Sequence, residues 1–226
     1  MTVVSCFLCI ASPAAAQTHW DIGAEAGAMR RVLSQRPAQP NEGPPGHDAG
    51  FGPVGELHLH LAVLPMLRVG AYITHDVSPI SGQPARQTTS GGLRVKLTPP
   101  FPSGRWRAWA FAGFGYAGVY GPSYHTTLLL SQSQGGTPSA TDALVDGAGG
   151  GYFEVPVGVG IGYLVKKPWQ VTLELGTRFG FGFNGSLYDT TNGRGATAPG
   201  YSPVGVDVPG EDTFALYLSA GLSLDL

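Results

Sequence analysis

Charge is scarce in this sequence. Asp, Glu, Lys and Arg together make up 12% of its 226 residues, against about 25% in an ordinary soluble domain. The net charge is −2 and no Lys/Arg run occurs, which excludes the basic footprint that a nucleic-acid partner requires. Cysteine is nearly absent: Cys6 and Cys9 are the two, and both lie in the first sixteen residues. Helical periodicity is nearly missing as well, and no run of 18 apolar residues offers a transmembrane helix. Glycine, in contrast, is abundant at 35 residues, without a collagen period, and 42% hydrophobic content is too high for a disordered chain. A chain poor in both charge and helix has one other way to cross a bilayer, the closed β-barrel, which pairs every backbone group internally.

The opening stretch "MTVVSCFLCIASPAAA" reads as a secretory signal peptide over residues 1–16. Residues 3–11 form its apolar core, and Ala14–Ala15–Ala16 gives a small-residue cleavage pattern before Gln17. The remaining domain, 17–226, then contains no cysteine, so disulfides and thiolate metal sites are excluded there. "VVSC" at 3–6 is a poor lipoprotein box, because the apolar core continues after the cysteine instead of preceding it.

Alternation with period two recurs along the chain, as strands with one apolar and one polar face require. In residues 169–183, Trp169, Val171, Leu173, Leu175, Phe179, Phe181 and Phe183 share one face, while Gln170, Thr172, Glu174 and Arg178 take the other. Residues 153–165 and 214–226 repeat the pattern. Weaker versions occupy about 19–33, 53–63, 67–77, 86–98 and 105–120, which makes eight strands. Each is near or above the 9–11 residues that a tilted strand needs to cross a membrane. The connections between them (34–52, 64–66, 78–85, 99–104, 121–152, 166–168 and 184–212) alternate long and short. This predicts an all-β, eight-stranded, antiparallel up-and-down transmembrane barrel with short periplasmic turns, long extracellular loops and both termini periplasmic. The long loops are rich in Gly, Ser, Thr and Pro and read as mobile.

Aromatic residues fall at the ends of these strands. Trp20, Trp106, Trp169 and Tyr163 mark the periplasmic rim, and Tyr120, Phe153, Phe183 and Phe214 the outer one, two girdles of the kind that anchor a barrel at the membrane interfaces. With this alternation, loop asymmetry and girdle placement, the chain resembles the small eight-stranded outer-membrane β-barrel proteins of the OmpA/OmpX type over Gln17–Leu226. The resemblance implies the outer membrane of a Gram-negative bacterium, surrounded by lipid and lipopolysaccharide. It also implies the barrel assembly machinery as partner during biogenesis, a monomer, and no cofactor. Family members usually end in an aromatic residue read by that machinery, whereas this chain ends "SLDL".

The polar face assigns a charged lumen network: Glu25, Glu56, His58, His60, Arg68, Tyr72, Arg94, Lys96, Arg107, Glu154, Glu174 and Arg178, with Asp21, Asp76, Arg105, Tyr217 and Asp225 on the same face. An eight-stranded barrel is only wide enough for side chains to fill it, and a buried unpaired charge is very costly, so these charges are expected to pair. If 166–168 form a turn, Glu154 lies diagonal to Arg178. If 64–66 form another, His58 faces Tyr72 and His60 faces Gly70, with Arg68 beside His60. Glu56, His58 and His60 at two-residue spacing suggest a metal site, but a guanidinium next to them disfavours a dication, so none is assigned. "GFGYAG" at 113–118 matches a dinucleotide motif without the helix that motif opens, and carries no nucleotide site.

Three functional classes remain open. The leading one is a non-catalytic structural or surface-interaction barrel with a filled lumen. The others are a narrow pore for small solutes and a lipid-modifying enzyme. For the last, His75 is the best-placed candidate, because it faces outward near the extracellular end; His58 and His60 face inward, and His125 lies in a loop.

Overall fold

The computed structural model describes residues 19–33, 50–80, 83–99, 104–122, 124–130, 139–145, 149–186, 194–195 and 213–226. The signal peptide expected at 1–16 therefore lies outside the described residues, as do most of the loop residues. All regular structure among the described residues is strand: β1 (Trp20–Leu33), β2 (Phe51–Leu64), β3 (Leu67–Ile80), β4 (Gln83–Leu97), β5 (Trp106–Tyr120), β6 (Tyr124–Leu130), β7 (Ser139–Val145), β8 (Gly149–Lys166), β9 (Trp169–Ser186), β10 (Arg194–Gly195) and β11 (Thr213–Asp225). Eight of them close into a barrel in the order β1-β11-β9-β8-β5-β4-β3-β2. Every pairing is antiparallel, and β1 seals the barrel by pairing with both β2 and β11. No sheet edge is left open along the wall, so no backbone ladder faces outward unpaired.

The faces are inverted relative to a soluble protein. On β2, Phe51 to His60 alternate exposed and buried without a break, with Leu57 58% exposed and His60 0%. On β9, Leu175 is 55% exposed and its neighbour Glu174 is fully buried. The period-two pattern thus sets the wall, and the hydrophobic face is the outer one. A small second sheet, β10-β7-β6, stands on the chain between β5 and β11.

Two features differ from the sequence expectation. The third connection is not a long loop: the β3–β4 ladder continues past Ser78↔Arg86 to Ile80↔Gln83, leaving 81–82 between the strands. Pro79 sits at the register shift between Ser78 and Ile80, a bulge position where its missing N–H removes no ladder bond. The connections therefore do not alternate long and short without exception. The second difference concerns 121–152, read as a loop, which contains β6 and β7 paired over Tyr124↔Val145 to Leu130↔Ser139. These two runs carry Thr, Leu and Val, good strand formers, on either side of a Gly- and Pro-containing stretch.

One backbone position departs from ordinary strand geometry. Gly182 has φ +66°, a conformation that disfavours any residue with a Cβ, and it breaks the alternation of β9 before Phe183. Gly182→Ala is expected to destabilise the barrel by about 1 kcal/mol, seen as a lower urea midpoint in micelles with the slope unchanged.

Candidate functional site

The lumen is filled along its length by charged and aromatic side chains from facing strands. At the end bearing the termini, Asp21 accepts a hydrogen bond from Lys96 at 2.9 Å and lies 3.5 Å from Arg68. Asp225 accepts from Arg68 at 3.0 Å and from Arg107, and the Lys96 ammonium sits over the Trp109 ring, 3.9 Å from its centroid. One layer further in, Glu174 accepts from Trp109 Nε1 at 2.8 Å and Arg94 at 3.2 Å, and Arg94 also lies 2.7 Å from Glu56 and over Phe111.

Arg178 stands at the middle of the network. Its guanidinium donates to Glu154 at 2.6 Å, Glu56 at 2.9 Å, Thr74 at 2.8 Å and Ser90 at 3.2 Å. The rings of Tyr72 and Tyr217 flank it at 5.5 and 5.1 Å, and Tyr72 donates to Glu154 at 3.2 Å. A planar fork with several donors suits this position, where one cation must satisfy carboxylates from β2 and β8 together. Towards the far end, Arg31 donates twice to Asp76, at 2.5 and 3.1 Å, and once to Tyr152 at 2.6 Å. Glu25 faces Glu56 across the β1–β2 ladder and accepts from Ser219 at 2.6 Å.

Taken as formal charges, the lumen is balanced. The carboxylates of Asp21, Glu25, Glu56, Asp76, Glu154, Glu174 and Asp225 match, one for one, the cations of Arg31, Arg68, Arg86, Arg94, Lys96, Arg107 and Arg178. His58 and His60 stand among them with ring centroids 5.0 Å apart, and both are buried. His58 pairs with Tyr72 and His60 with Gly70 across the ladder. The guanidinium in contact with His60 is that of Arg94, which donates to Nε2 at 3.2 Å; Arg68 is connected to His60 through their common neighbour Asp21.

The residues closest to a metal-ligand set are Asp21, His58 and His60, whose donor atoms lie within 4.8 Å of one another; Glu56 is held instead by Arg94 and Arg178. The donor chemistry opposes a dication. Lys96 already occupies Asp21, and Arg94 takes the Nε2 lone pair of His60, which leaves the proton of a neutral ring on Nδ1.

Several expected positions shift. Arg105, read as inward, is exposed at the rim and donates to Tyr163 at 3.2 Å, because β5 begins one residue later, at Trp106. Phe183, read as a girdle residue, is half-buried against Tyr152 with centroids 5.0 Å apart, turned inward after the backbone break at Gly182. The other girdle residues face out. Trp20, Trp106 and Trp169 are exposed at the termini end, with Tyr163 packed on Trp106 at 4.9 Å. Tyr120 and Phe153 are exposed towards the far end, and Phe214 packs on Phe179 at 5.4 Å.

Trp109, Phe111, Arg31, Arg86 and Tyr152 also fill the lumen and were not read from the sequence. The first four follow from extending the phase of their strands, from Arg107, Asp21 and Arg94. Tyr152 is in phase with Glu154 on β8, which starts at Gly149 rather than at 153, inside the stretch read as the 121–152 loop. On the outer surface, His75 Nδ1 lies 2.9 Å from Thr89 Oγ1, and Thr89 lies 3.5 Å from the Tyr120 hydroxyl. Among the described residues no carboxylate orients that imidazole, so they do not by themselves form the three-membered base–nucleophile relay of an acyl hydrolase.

No family model and no curated protein sequence matches this chain. Its fold is similar to that of solved outer-membrane barrels. A major outer membrane protein from Thermus thermophilus superposes with a TM-score of 0.50 at 16% identity, covering 92% of this chain and 99% of that one. Neisserial surface protein A gives 0.48 at 14% identity, covering 92% and 97%. The N-terminal β-barrel domain of Pseudomonas aeruginosa OprF gives 0.44 at 8% identity, covering 93% and 100%. The chain thus has the small eight-stranded outer-membrane β-barrel fold.

Arg178→Met removes the cation from two buried carboxylates, which is expected to cost about 3–5 kcal/mol. Urea titration in micelles, followed by the shift between folded and unfolded gel bands, measures it. An effect below about 1 kcal/mol would mean that Glu56 and Glu154 are not held by Arg178.

Proposed function

We propose that this chain is an integral outer-membrane protein with both termini periplasmic and its long loops outside, acting as a structural and surface-interaction barrel rather than an enzyme or a conduit. The observation that carries this reading is the inversion of its faces. Leucine, valine and phenylalanine form an exposed belt around the barrel, bounded by aromatic residues at each end, while most charges on the barrel strands are turned inward. Such an outer face is stable against hydrocarbon and unstable against water. Membrane lipid, with lipopolysaccharide on the loop side, is the environment this belt fits, and the barrel assembly machinery is the partner its insertion requires.

The filled lumen supports the non-conducting form of this reading over the narrow pore. Arg94, Arg178, Tyr72, Tyr217, Trp109 and Phe111 reach in from β3, β4, β5, β9 and β11, and all are buried. A solute would have to break buried ion pairs to pass. The surface role rests on the far end, where the β10-β7-β6 sheet extends the protein beyond its barrel wall. Wall closure without a further subunit fits a monomer.

Fractionation tests the location. The mature chain is expected in the outer-membrane fraction, migrating faster on a gel before boiling than after it; recovery in the soluble fraction would end the membrane reading. Leu173→Arg, on the lipid face of β9, should lower stability in bilayers by about 2–4 kcal/mol if the residue lies near the midplane. In planar bilayers the wild-type protein is expected to show no steady conductance. Discrete, lasting current steps would overturn the filled lumen and favour the pore.

A further inference from the structure

The outer surface of the barrel is uneven in charge and height. Asp21, Glu25, Glu56, Asp76, Glu154 and Glu174 are all buried, and Asp225 is tied up at the mouth by Arg68 and Arg107. On the eight barrel strands, no Asp or Glu side chain therefore lies on the outward face. At the termini end, however, three cations are exposed close together, Arg105 before β5 and Lys166 and Lys167 at the β8–β9 turn. The strands hold them side by side: Leu164 N–H donates to the Arg105 carbonyl at 2.8 Å, two residues from Lys166.

Immediately above this basic rim the wall is recessed. The outward positions of β5 after Trp106 are Ala108, Ala110 and Ala112, until Phe114 stacks on Phe153 at 5.7 Å and closes the run. The neighbouring strands carry taller residues at the same levels. Ala110 lies between Leu97 and Val159, and Ala112 between Val95 and Val157, while Ala108 faces Ile161. The result is an apolar channel whose lining includes Leu97, Ala108, Ala110, Val159 and Ile161. The recess spreads sideways over β9 to Leu173 and Leu175, and the alanine row itself, from Ala108 to Phe114, runs about 20 Å along the strand. At a tilt of about 45° that is about 14 Å of depth, one leaflet of a hydrocarbon core about 30 Å thick.

We propose that this face seats an anionic glycerophospholipid, with its phosphate on Arg105, Lys166 and Lys167 and one acyl chain lying in the alanine-floored channel. The seat rests on the outer-membrane reading above, which puts this rim in the periplasmic leaflet. Charge complementarity selects the occupant. A rim whose three exposed cations outnumber the nearest carboxylate, Asp225, itself already paired with Arg68 and Arg107, attracts a net negative headgroup over a zwitterionic one. Trp106 and Tyr163, packed together beside Arg105, sit at the level of the glycerol ester region.

Brominated lipids quench tryptophan on contact, and Trp106 and Trp169 flank the seat. The full chain is refolded into phosphatidylcholine vesicles containing, at equal mole fraction, phosphatidylglycerol or phosphatidylcholine with brominated chains. The apparent binding constant for phosphatidylglycerol is expected to be about fivefold or more above that for phosphatidylcholine, the effect of at least one engaged basic residue. The triple variant Arg105→Gln, Lys166→Gln, Lys167→Gln should bring the ratio close to one, and Arg30→Gln, at the opposite rim, should leave it unchanged. Equal quenching by both lipids in wild-type protein that inserts and shows the gel shift overturns the seat while the membrane reading stands. Loss of the preference in Arg30→Gln places the anion elsewhere and also overturns it. Failure to insert, with quenching by neither lipid, removes both. The wild-type comparison decides the matter even where the triple variant does not fold.

Discussion

The clamp of Arg178 on Glu154 and Glu56 is the contact on which the interior depends. It joins carboxylates from β2 and β8, which do not touch through the backbone ladder, with a cation from β9. Burying such charges is costly unless each is paired and further hydrogen-bonded, and Thr74, Ser90 and Tyr72 supply those extra bonds. Once Arg178 is in place, Glu56 is positioned to meet Arg94, and Arg94 to meet Glu174 and His60. The network is therefore sequential, each pair fixing the next across the lumen. An isolated surface ion pair contributes little, but here water is excluded and loss of one member leaves its partners without compensation.

The glycines follow from the same constraint. Long side chains can cross a narrow lumen only where the facing strand offers none. Gly160 has the Trp109 indole above it, Gly176 the Tyr217 ring, and Gly23 the His58 imidazole, so a Cβ at any of these positions would collide with the ring. Glycine abundance, low charge on the outside and charge pairing on the inside are then three aspects of one arrangement: small inward residues make room for large inward residues, and outward positions are left to apolar side chains.

The barrel was legible because its signal is repeated. Period-two alternation fixes which face of each strand is polar, and the short turn between β8 and β9 fixes the register closely enough to bring Glu154 near Arg178. What was not legible falls at points where a local backbone event shifts the phase. Phe183 follows a left-handed glycine where β9 shifts register against β8, and the β3–β4 ladder passes through a bulge at Pro79. A one-residue slip exchanges the two faces of a strand, and nothing in composition announces it. Trp109 and Phe111 escaped notice for another reason. β5 is apolar on both faces, so alternation does not mark which of its aromatic residues turn inward, and only the phase set by Arg107 does.

The same two-sidedness of β5 gives the outer wall its asymmetry. Between Trp106 and Phe114 this strand sends its aromatics, Trp109 and Phe111, inward and keeps alanines for the outside at Ala108, Ala110 and Ala112, while β4 and β8 present leucine, valine and isoleucine. The recess is thus the outer consequence of how the lumen is filled near Glu174, where Trp109 donates its indole N–H. Interior packing and surface shape are coupled through one strand. A change at Trp109 or Phe111 would alter the outward face only through the backbone of β5, whereas a change at Ala110 would alter the outer channel and leave the charge network intact. The two faces of this strand can therefore be varied separately, which makes β5 the place where lumen stability and membrane contact can be told apart.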